Sequence, residues 1–321
     1  MFDLSPTWAS KHNYHHHSAP NEPDFHAIYR KAWVRPRINK SWEILKDPNS
    51  SNEERAEAED IINMYEFKKV VMSCGQGVQA YCDAMLLDQH THNEAYAHGL
   101  SIVQEYQPPK WRDVLLDNVE IIARTETIRL TEEGAAPTKN KPATKTEFEL
   151  VCENALEGLR QASASVDKLE GEKEYTKKLD GCELPYLGIP DYSGCIELKT
   201  KWDGLKFEEE ELVQARAASL PKEISTPWLK QVTGYWALTG KIPTIVAANR
   251  KDFKIYSPTE ESLRLCLAEI ESACRRRERI LKQSENVKEL LGNLDPAWSE
   301  QRIWSGKSPQ VFKEVERLSQ L

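Results

Sequence analysis

Two carboxylates and one amine are the side chains of this sequence whose types and spacing could do chemistry. Asp191 stands just before a cluster of turn residues, and Glu197 and Lys199 follow two positions apart on a predicted strand. Side chains at positions i and i+2 of a strand project from the same face, so Glu197 and Lys199 are expected to lie together. Two acids beside one ammonium group suit a hard cation and a hydrolytic reaction.

The turn decides which face Asp191 occupies. If a three-residue hairpin connection ends at Gly194, that glycine supplies the left-handed residue that closes such loops. An odd-numbered loop then places Asp191 on the same face as Glu197 and Lys199, and Cys195 belongs to that face as well. The pattern predicts convergence of these groups at the end of a β-hairpin. An ordinary surface hairpin with a cross-strand ion pair is the alternative interpretation.

Magnesium fits the predicted group of ligands, because it prefers oxygen atoms from one or two carboxylates together with waters and phosphate oxygens. Asp191 and Glu197 are the predicted carboxylate ligands, and the Leu198 carbonyl is a candidate third ligand. Lys199 is predicted to lie near the attacking water, where its charge would lower the pKa of that water or stabilise charge on phosphorus. Mn²⁺ is expected to substitute for Mg²⁺.

A glutamine and a tyrosine downstream add a second signal. Gln231 and Tyr235 stand at positions i and i+4 of a predicted helix and therefore share one of its faces. An amide and a phenol one turn apart could hydrogen-bond a phosphate, or hold Lys199 in place, without adding charge. The alternative is an amphipathic helix with a polar glutamine at its half-buried edge.

The string Pro-Asp-x5-Glu-x-Lys that ends at Lys199 resembles the motif of the PD-(D/E)XK nuclease superfamily. The Gln-x3-Tyr pair, Gln231 and Tyr235, is similar to that of the RecB-type, lambda-exonuclease-like branch. The resemblance implies a metal-dependent DNA exonuclease with Asp191 and Glu197 on the metal. It also implies that Lys199 acts at the water and that the Gln-x3-Tyr pair contacts the DNA backbone.

A third family feature is present only in altered form. RecB-type families carry a Gly-x3-His helix upstream, whose histidine is a further metal ligand, and the nearest match here runs from Gly75 to Gln79. An amide oxygen is a poorer ligand than imidazole. Gln79, and Glu157 on a later helix, are therefore candidates for an additional group at the metal. No third cysteine follows Cys266 and Cys274, so the iron–sulfur cluster of some relatives is not expected.

The charge of the chain restricts how it could bind DNA. A net charge of −8 over 321 residues gives no general basic field, so binding would need local basic patches. One patch interleaves with Trp33 and Trp42 and suits phosphate contacts and base stacking. Its basic residues are Arg30, Lys31, Arg35, Arg37 and Lys40. A second patch, at residues 275–279 of a late helix, is more typical of a solvated helix face.

Cysteine usage and the opening residues bear on location and partners. Seven cysteines without paired spacing indicate reduced intracellular thiols. Residues 1–6 lack a basic start and an apolar run, so no signal peptide is expected, and no stretch approaches membrane-spanning length. A cytoplasmic location is expected, the host cytoplasm if the chain is phage-encoded. The resemblance implies DNA as partner and leaves open a single-strand-binding or annealing protein and a homo-oligomer.

The order of predicted elements indicates an α/β fold. From Thr146 the pattern is α-β-β-β-α-β, and it matches a restriction-endonuclease-like core: a mixed sheet flanked by helices, with extra N-terminal and C-terminal helices. The predicted elements of this core are a helix at 147–168, strands at 172–179, 184–191 and 195–202, the Gln231 helix, and a strand from Thr244. Helices are also predicted at 51–65, 68–106 and 111–125, and a linker at 134–144.

Three segments are predicted along the chain: an N-terminal arm with the basic and aromatic patch (1–65), a nuclease core with a helical insertion (66–290), and a C-terminal helical tail (291–321). Residues 1–28 are polar and histidine-rich, which favours a mobile arm over a metal-binding segment. Residues 201–222 are predicted to form a mobile loop beside the site.

Three functions remain open from the sequence. The first is an exonuclease for recombination, repair or phage genome processing, without a built-in ATP motor because no phosphate-binding loop is present. The second is a structure-specific or restriction-like endonuclease on the same core. The third is a non-catalytic DNA-binding or scaffold protein, against which the paired like charges of Asp191 and Glu197 argue.

Overall fold

A computed structural model of the chain describes residues 15–16, 24–65, 70–106, 114–127, 145–208, 211–298, 304 and 306–319. The chain divides into two compact units. The terminal unit comprises Met1–Phe67, Thr176–Gly188 and Leu265–Leu321, and the central unit comprises Lys68–Tyr175 and Ile189–Arg264. The predicted segments 1–65, 66–290 and 291–321 are consecutive stretches of chain, whereas these units are defined by compactness, so the predicted segmentation stays a prediction. The predicted linker at 134–144 lies outside the described residues.

The terminal unit is mainly helical. Its first half contains strand β1 (His15–His16) and helices α1 (Asp24–Tyr29), α2 (Ile38–Lys46) and α3 (Asn52–Tyr65), with a π turn (Arg30–Val34) and a 3-10 turn (Arg35–Arg37) between α1 and α2. Strands β2 (Tyr175–Lys178) and β3 (Pro185–Gly188) form a sheet with β1 in the order β1-β3-β2. Helix α9 (Glu260–Gln283) contains the unit boundary, and α10 (Val287–Gly292) and α11 (Pro309–Ser319) follow it.

The prediction of a mobile arm over residues 1–28 is wrong for its last residues. Helix α1 buries Phe25, Ile28 and Tyr29 in the apolar core of the terminal unit. Trp33 belongs to the same core and is 3% exposed, with the Arg37 guanidinium stacked 4.2 Å from its ring centroid. Trp33 is therefore not free to stack on a base, because its indole contributes apolar burial to this unit.

The central unit contains the predicted site. Its helices are α4 (Val70–Leu86), α5 (His92–Gln104), α6 (Val114–Ile122), which continues as a π turn (Ala123–Thr127), α7 (Glu147–Ser163) and α8 (Thr226–Thr239). Its strands are β4 (Ile196–Thr200), β5 (Gly204–Glu208), β6 (Glu211–Arg216), β7 (Thr244–Ala248) and β8 (Phe253–Tyr256). Strand β4 pairs parallel with β7, and β7 pairs antiparallel with β8.

The mixed α/β class predicted from the sequence is confirmed, and α7, β2, β3, β4, α8 and β7 follow one another in the predicted α-β-β-β-α-β order. The described strands do not form one sheet, however, because β2 and β3 pair with β1 while β4 pairs with β7. Strand β3 ends at Gly188, and Pro190 follows soon after it. Proline lacks the N–H that a ladder needs, so the ladder of β3 does not continue through residue 190. The restriction-endonuclease-like core stays a prediction.

The loop predicted at 201–222 is in large part a β-hairpin. Strands β5 and β6 pair antiparallel, with Gly204 opposite Arg216 and Glu208 opposite Glu211. The sequences Gly-Leu-Lys-Phe-Glu and Glu-Leu-Val-Gln-Ala-Arg contain the β-branched and aromatic residues that favour strands. Glu208 and Glu211, the described ends of an acidic run, are the last residue of β5 and the first residue of β6.

Two glycines let α4 and α5 pack closely. A Cβ atom at Gly77 would lie 2.6 Å from the Gly99 carbonyl oxygen. With a larger residue at this crossing, the two helices could not approach each other so closely. The single helix predicted over 68–106 is two helices, α4 and α5. Helix α5 begins with a capping box, in which Thr91 and Glu94 satisfy each other's backbone N–H groups. The crossing fixes α4, one face of which forms a wall of the candidate site.

None of the described helices combines the length and the apolarity that a membrane span requires.

Candidate active site

A narrow reversal of the chain positions Asp191. Tyr192 and Ile196 form an isolated antiparallel bridge, with N–O distances of 3.0 and 3.3 Å between their backbone groups. The three residues between them include Gly194 at φ 81° and Cys195 at φ 62°. The loop is therefore three residues long, as predicted, but it begins one position later. Its odd length is unchanged, so Asp191 and the residue after Ile196 stand on the same face.

The carboxylate of Asp191 binds the free edge of β4. Its Oδ2 accepts a hydrogen bond of 2.7 Å from the backbone N–H of Leu198. Strand β4 is the first in the order β4-β7-β8 and has no neighbour on its other side among the described strands. The site therefore lies at the edge of a sheet, where backbone groups are open to a ligand.

Glu197 is the centre of the site. Its side chain is 3% exposed, and its Oε1 accepts hydrogen bonds from Lys199 Nζ at 2.5 Å and from Gln231 Nε2 at 2.6 Å. The hydroxyl of Tyr235 lies 3.0 Å from Oε2 of the same carboxylate. The structure thus brings together the four residues Glu197, Lys199, Gln231 and Tyr235, which the sequence placed on two separate elements.

Helix α8 runs beside β4 in the opposite direction. Near the end of the helix, Thr239 Oγ1 lies 2.9 Å from Cys195 Sγ, and one turn earlier Tyr235 reaches Glu197. The Tyr235 hydroxyl also lies 3.2 Å from the Ile189 carbonyl oxygen and accepts from Gln231 at 2.8 Å. Pro227 in the first turn and the left-handed Gly240 after the last turn fix the two ends of this helix.

The electrostatics of the site are those of two acids that share one ammonium group. Burial, and then the Glu197 carboxylate, raise the pKa of Asp191 to about 8, against the opposing effects of the Leu198 N–H and of Lys199. Burial and Glu197 also raise the pKa of Tyr235 far above its usual value, so its phenol stays protonated and can donate a hydrogen bond. When both carboxylates are ionised, the Lys199 ammonium therefore neutralises only one of their two negative charges.

Asp191, Glu197 and Lys199 line a pocket with a volume of about 420 Å³. One wall is strand β4 and the other is helix α4, which approaches so closely that a Cβ at Gly75 would lie 3.2 Å from Thr200 Oγ1. The lining residues from β4 and its neighbours are Asp191, Glu197, Leu198, Lys199, Thr200 and Trp202, and those from α4 are Val71, Met72, Gly75, Gln76 and Gln79.

The two additional candidate residues differ in position. Gln79 lines the pocket, and its amide Nε2 donates a 3.2 Å hydrogen bond to Glu172 Oε1. Glu157 is exposed on α7, accepts a hydrogen bond from Gln161, and is not among the described residues that line the pocket. Gln79 therefore remains a candidate for contact with a ligand, while Glu157 is not brought to the site.

Some residues of the site were missed in the sequence. Met72 and Gln76 stand at helical spacing from Gly75 and Gln79, so their place on the same face of α4 could have been predicted. Glu172 precedes the motif in a segment without regular structure, and no pattern in the sequence indicates its contact with Gln79.

A buried ionic network fixes the chain after β4. Arg124 Nη1 binds Glu147 Oε2 at 2.6 Å, and Glu147 Oε1 accepts from the backbone N–H of Asp203 at 2.7 Å. The Asp203 carboxylate in turn accepts from Arg250 at 2.5 Å and from the Ala218 N–H at 2.6 Å. Buried ionic hydrogen bonds of this kind restrain a backbone, even though the Nη2 atom of Arg250 is buried without a partner among the described residues. The network therefore keeps the end of β4, beside the pocket, in one conformation.

The residues of the pocket fit a hard divalent cation. Asp191 and Glu197 offer carboxylate oxygens, the ligands that Mg²⁺ prefers, and their mutual repulsion would be relieved by a cation between them. A second group with metal-binding residue types is His92, Glu149 and Glu153. There both oxygens of Glu153 already accept from the Lys145 ammonium, at 2.5 and 2.6 Å, which offsets its charge.

Neither basic patch contributes any of its described residues to the pocket. In the first, Arg35 and Lys40 are exposed and Arg30 and Arg37 are half-buried, while the side chain of Lys31 lies outside the described residues. In the second, Arg275 donates to the Asp180 carbonyl oxygen at 2.8 Å. A role of either patch in DNA binding stays a prediction.

Cys266 and Cys274 are both buried on the same helix, α9.

The relation of this chain to known proteins rests on the site alone. No family model, curated protein or solved structure matches the chain. The resemblance to PD-(D/E)XK nucleases therefore stays a prediction from the motif around Asp191 and Glu197, and the geometry of the pocket has to support any functional proposal.

Proposed function

We propose that this chain is a metal-dependent nuclease of the PD-(D/E)XK type that hydrolyses phosphodiester bonds in DNA as an exonuclease. The observation that supports the proposal most is the environment of Glu197. Its buried carboxylate is oriented by Lys199, Gln231 and Tyr235, while a second carboxylate, Asp191, stands opposite at the open edge of the sheet.

The two carboxylates would hold Mg²⁺ or Mn²⁺, with the Leu198 carbonyl as the candidate third protein ligand. When bound, such a cation supplies a Lewis acid for the phosphate and a water of lowered pKa. Lys199 lies at the same carboxylate, 2.5 Å from Glu197 Oε1, so its ammonium could stabilise negative charge beside the scissile phosphate. Its half-exposed position leaves it open to a substrate.

Gln231 and Tyr235 take a role that differs from the one expected by resemblance. Both donate toward the Glu197 carboxylate, and Gln231 also donates to the Tyr235 hydroxyl. Their hydrogen bonds are therefore engaged in orienting Glu197. In the proposed enzyme they position a metal ligand through contacts of 2.6 and 3.0 Å, and this positioning role replaces direct contact with the DNA backbone.

A scaffold without activity would have little reason to keep this arrangement. Burial of Asp191, and then the nearby Glu197 carboxylate, raise the pKa of Asp191 to about 8, so ionising both groups at neutral pH is unfavourable without a cation. Perturbed carboxylates in a pocket are typical of functional sites, although structural networks can also perturb pKa values. Here the structural ionic network around Asp203 is a separate set of contacts, made with Arg250, the Ala218 N–H and Glu147.

One assay distinguishes the candidate functions. End-labelled linear DNA and a closed circle of the same sequence are incubated with the protein and Mg²⁺, with the Glu197→Ala variant as control. Loss of the linear DNA alone supports the exonuclease, and cutting of both supports an endonuclease. No hydrolysis of either substrate contradicts the proposal and favours a binding or scaffold protein.

A further inference from the structure

Lys201 continues the active face of β4 beyond the residues of the motif. The backbone N–H of Lys201 donates to the Ala248 carbonyl oxygen at 2.8 Å, so the ladder between β4 and β7 extends to this residue. Side chains of a strand alternate between faces, which places Lys201 on the face that carries Glu197 and Lys199. It is exposed, whereas Glu197 is buried.

An aromatic ring holds the ammonium group of Lys201 at this position. Its Nζ lies 5.1 Å from the centroid of the Trp228 ring, within the range of a cation–π contact. Trp228 is itself fixed, because it packs edge-on against Tyr256 with ring centroids 6.2 Å apart. The Tyr256 hydroxyl in turn donates to the Pro221 carbonyl oxygen at 2.6 Å. The Lys201 ammonium therefore lies against an aromatic ring whose position is fixed by its own packing.

Through helix α8, Trp228 connects Lys201 to the residues of the site. Trp228 and Gln231 stand at positions i and i+3 of α8 and share a face, and Gln231 contacts Glu197. The antiparallel course of α8 along β4 thus aligns Trp228 with Lys201 and Gln231 with Glu197. No carboxylate among the described residues forms an ion pair with Lys201, so its ammonium protons remain available to an anion.

We propose that Lys201 binds the phosphate next to the scissile one, so that a nucleic acid strand runs along the exposed edge of β4. Residues two apart on a strand are separated by roughly 6.6 Å, which is comparable with the distance between neighbouring phosphates of one strand. Lys199 then serves the scissile phosphate and Lys201 its neighbour. This inference rests on the proposed nuclease function and assigns Lys201 a positioning role.

The test uses three substrates and two lysine variants of the full chain. The trinucleotide TpTpT has two phosphodiesters, and replacing either one by a neutral methylphosphonate leaves a single cleavable bond with an uncharged neighbour. Thymidine 5′-(p-nitrophenyl phosphate) has no neighbouring phosphate at all. Lys201→Ala is compared with Lys241→Ala, which removes the same charge from an exposed residue at the other end of α8.

Loss of one charged contact is expected to raise KM for TpTpT about tenfold in Lys201→Ala with little change in kcat. Lys241→Ala should behave as wild type, and Lys201→Arg should restore most of the loss. Both methylphosphonate trinucleotides should be cleaved equally by wild type and Lys201→Ala, because neither offers a charged neighbour to Lys201, and so should the p-nitrophenyl ester.

Two failures are distinguishable. If wild type hydrolyses none of these esters with Mg²⁺ or Mn²⁺, the proposed function itself is wrong. If wild type hydrolyses TpTpT and Lys201→Ala has the same KM, or if the variant loses activity equally on the p-nitrophenyl ester, then Lys201 does not hold a neighbouring phosphate. Circular dichroism of Lys201→Ala should match wild type, because the side chain is exposed.

Discussion

The raised pKa of Asp191 makes metal binding depend on pH in a way that can be calculated. Burial and the nearby Glu197 carboxylate bring this pKa from its ordinary value near 3.8 to about 8 in the protein without metal. A cation needs the ionised carboxylate, so binding must release the proton that Asp191 carries below this pKa. The perturbation to apply is therefore pH, with Asp191→Asn as the matched variant.

The size of the effect follows from proton linkage. With one proton of pKa about 8 to displace, affinity for Mg²⁺ should rise roughly 50-fold between pH 6 and pH 8 and then level off. About one proton should be released per metal at pH 6 and about half a proton at pH 8. Asp191→Asn has no such proton and loses a ligand, so its affinity should be weak and independent of pH over the same range.

The assay is isothermal titration calorimetry in buffers of different ionisation enthalpy, which reports the number of protons released. Metal affinity that is unchanged from pH 6 to pH 9, with no proton release at pH 6, would refute the assignment of Asp191 as a ligand.

The raised pKa of Asp191 also affects the stability of the protein without metal. Between pH 4 and 8 the folded protein binds more protons at Asp191 than the unfolded chain, so this group lowers stability as pH rises through that window, and Asp191→Asn should flatten the trend in thermal unfolding.

Three further predictions concern single residues. Glu197→Ala should abolish hydrolysis, while binding of a labelled oligonucleotide in Ca²⁺ persists, because a negative charge near phosphate is removed; activity above a few per cent would contradict this. Gln231→Ala and Tyr235→Phe should lower kcat by a factor of about 10 to 1,000 through misorientation of Glu197, with little change in the free energy of unfolding; unfolding of Gln231→Ala would show a structural role instead. Trp33→Ala should lower the free energy of unfolding by about 3–5 kcal/mol in urea denaturation, because a core aromatic is lost, whereas the exposed Arg35→Ala should change it by less than about 0.5 kcal/mol; equal effects of both would contradict the burial of Trp33.

The candidate site could be predicted from the sequence because its geometry is local. The alternation of strand β4 and the odd length of the preceding loop place Asp191 opposite Glu197, even though the loop begins one residue later than predicted. The i, i+4 spacing of Gln231 and Tyr235 likewise puts both on one helix face. Spacing alone could not predict that both side chains contact Glu197, because this contact depends on how α8 packs along β4.

Features set by long-range packing were predicted less well. The basic residues around Trp33 predict a platform for base stacking, yet its indole is buried in an apolar core that the local sequence does not reveal. The division of the strands among separate sheets also depends on pairings between distant segments, such as β1 with β3. The hairpin of β5 and β6 is not evident in the sequence, because the acidic run that begins at Glu208 and ends at Glu211 is more typical of a loop than of paired strands.

The most direct test of the central claim is to locate the cation itself. A crystal of the protein soaked in Mn²⁺ is measured at a wavelength where manganese scatters anomalously. We predict an anomalous peak within bonding distance of one oxygen of Asp191 and one of Glu197, which is absent in crystals of Glu197→Ala. A peak only at His92, Glu149 and Glu153, or none in the pocket at saturating Mn²⁺, would contradict the proposed site.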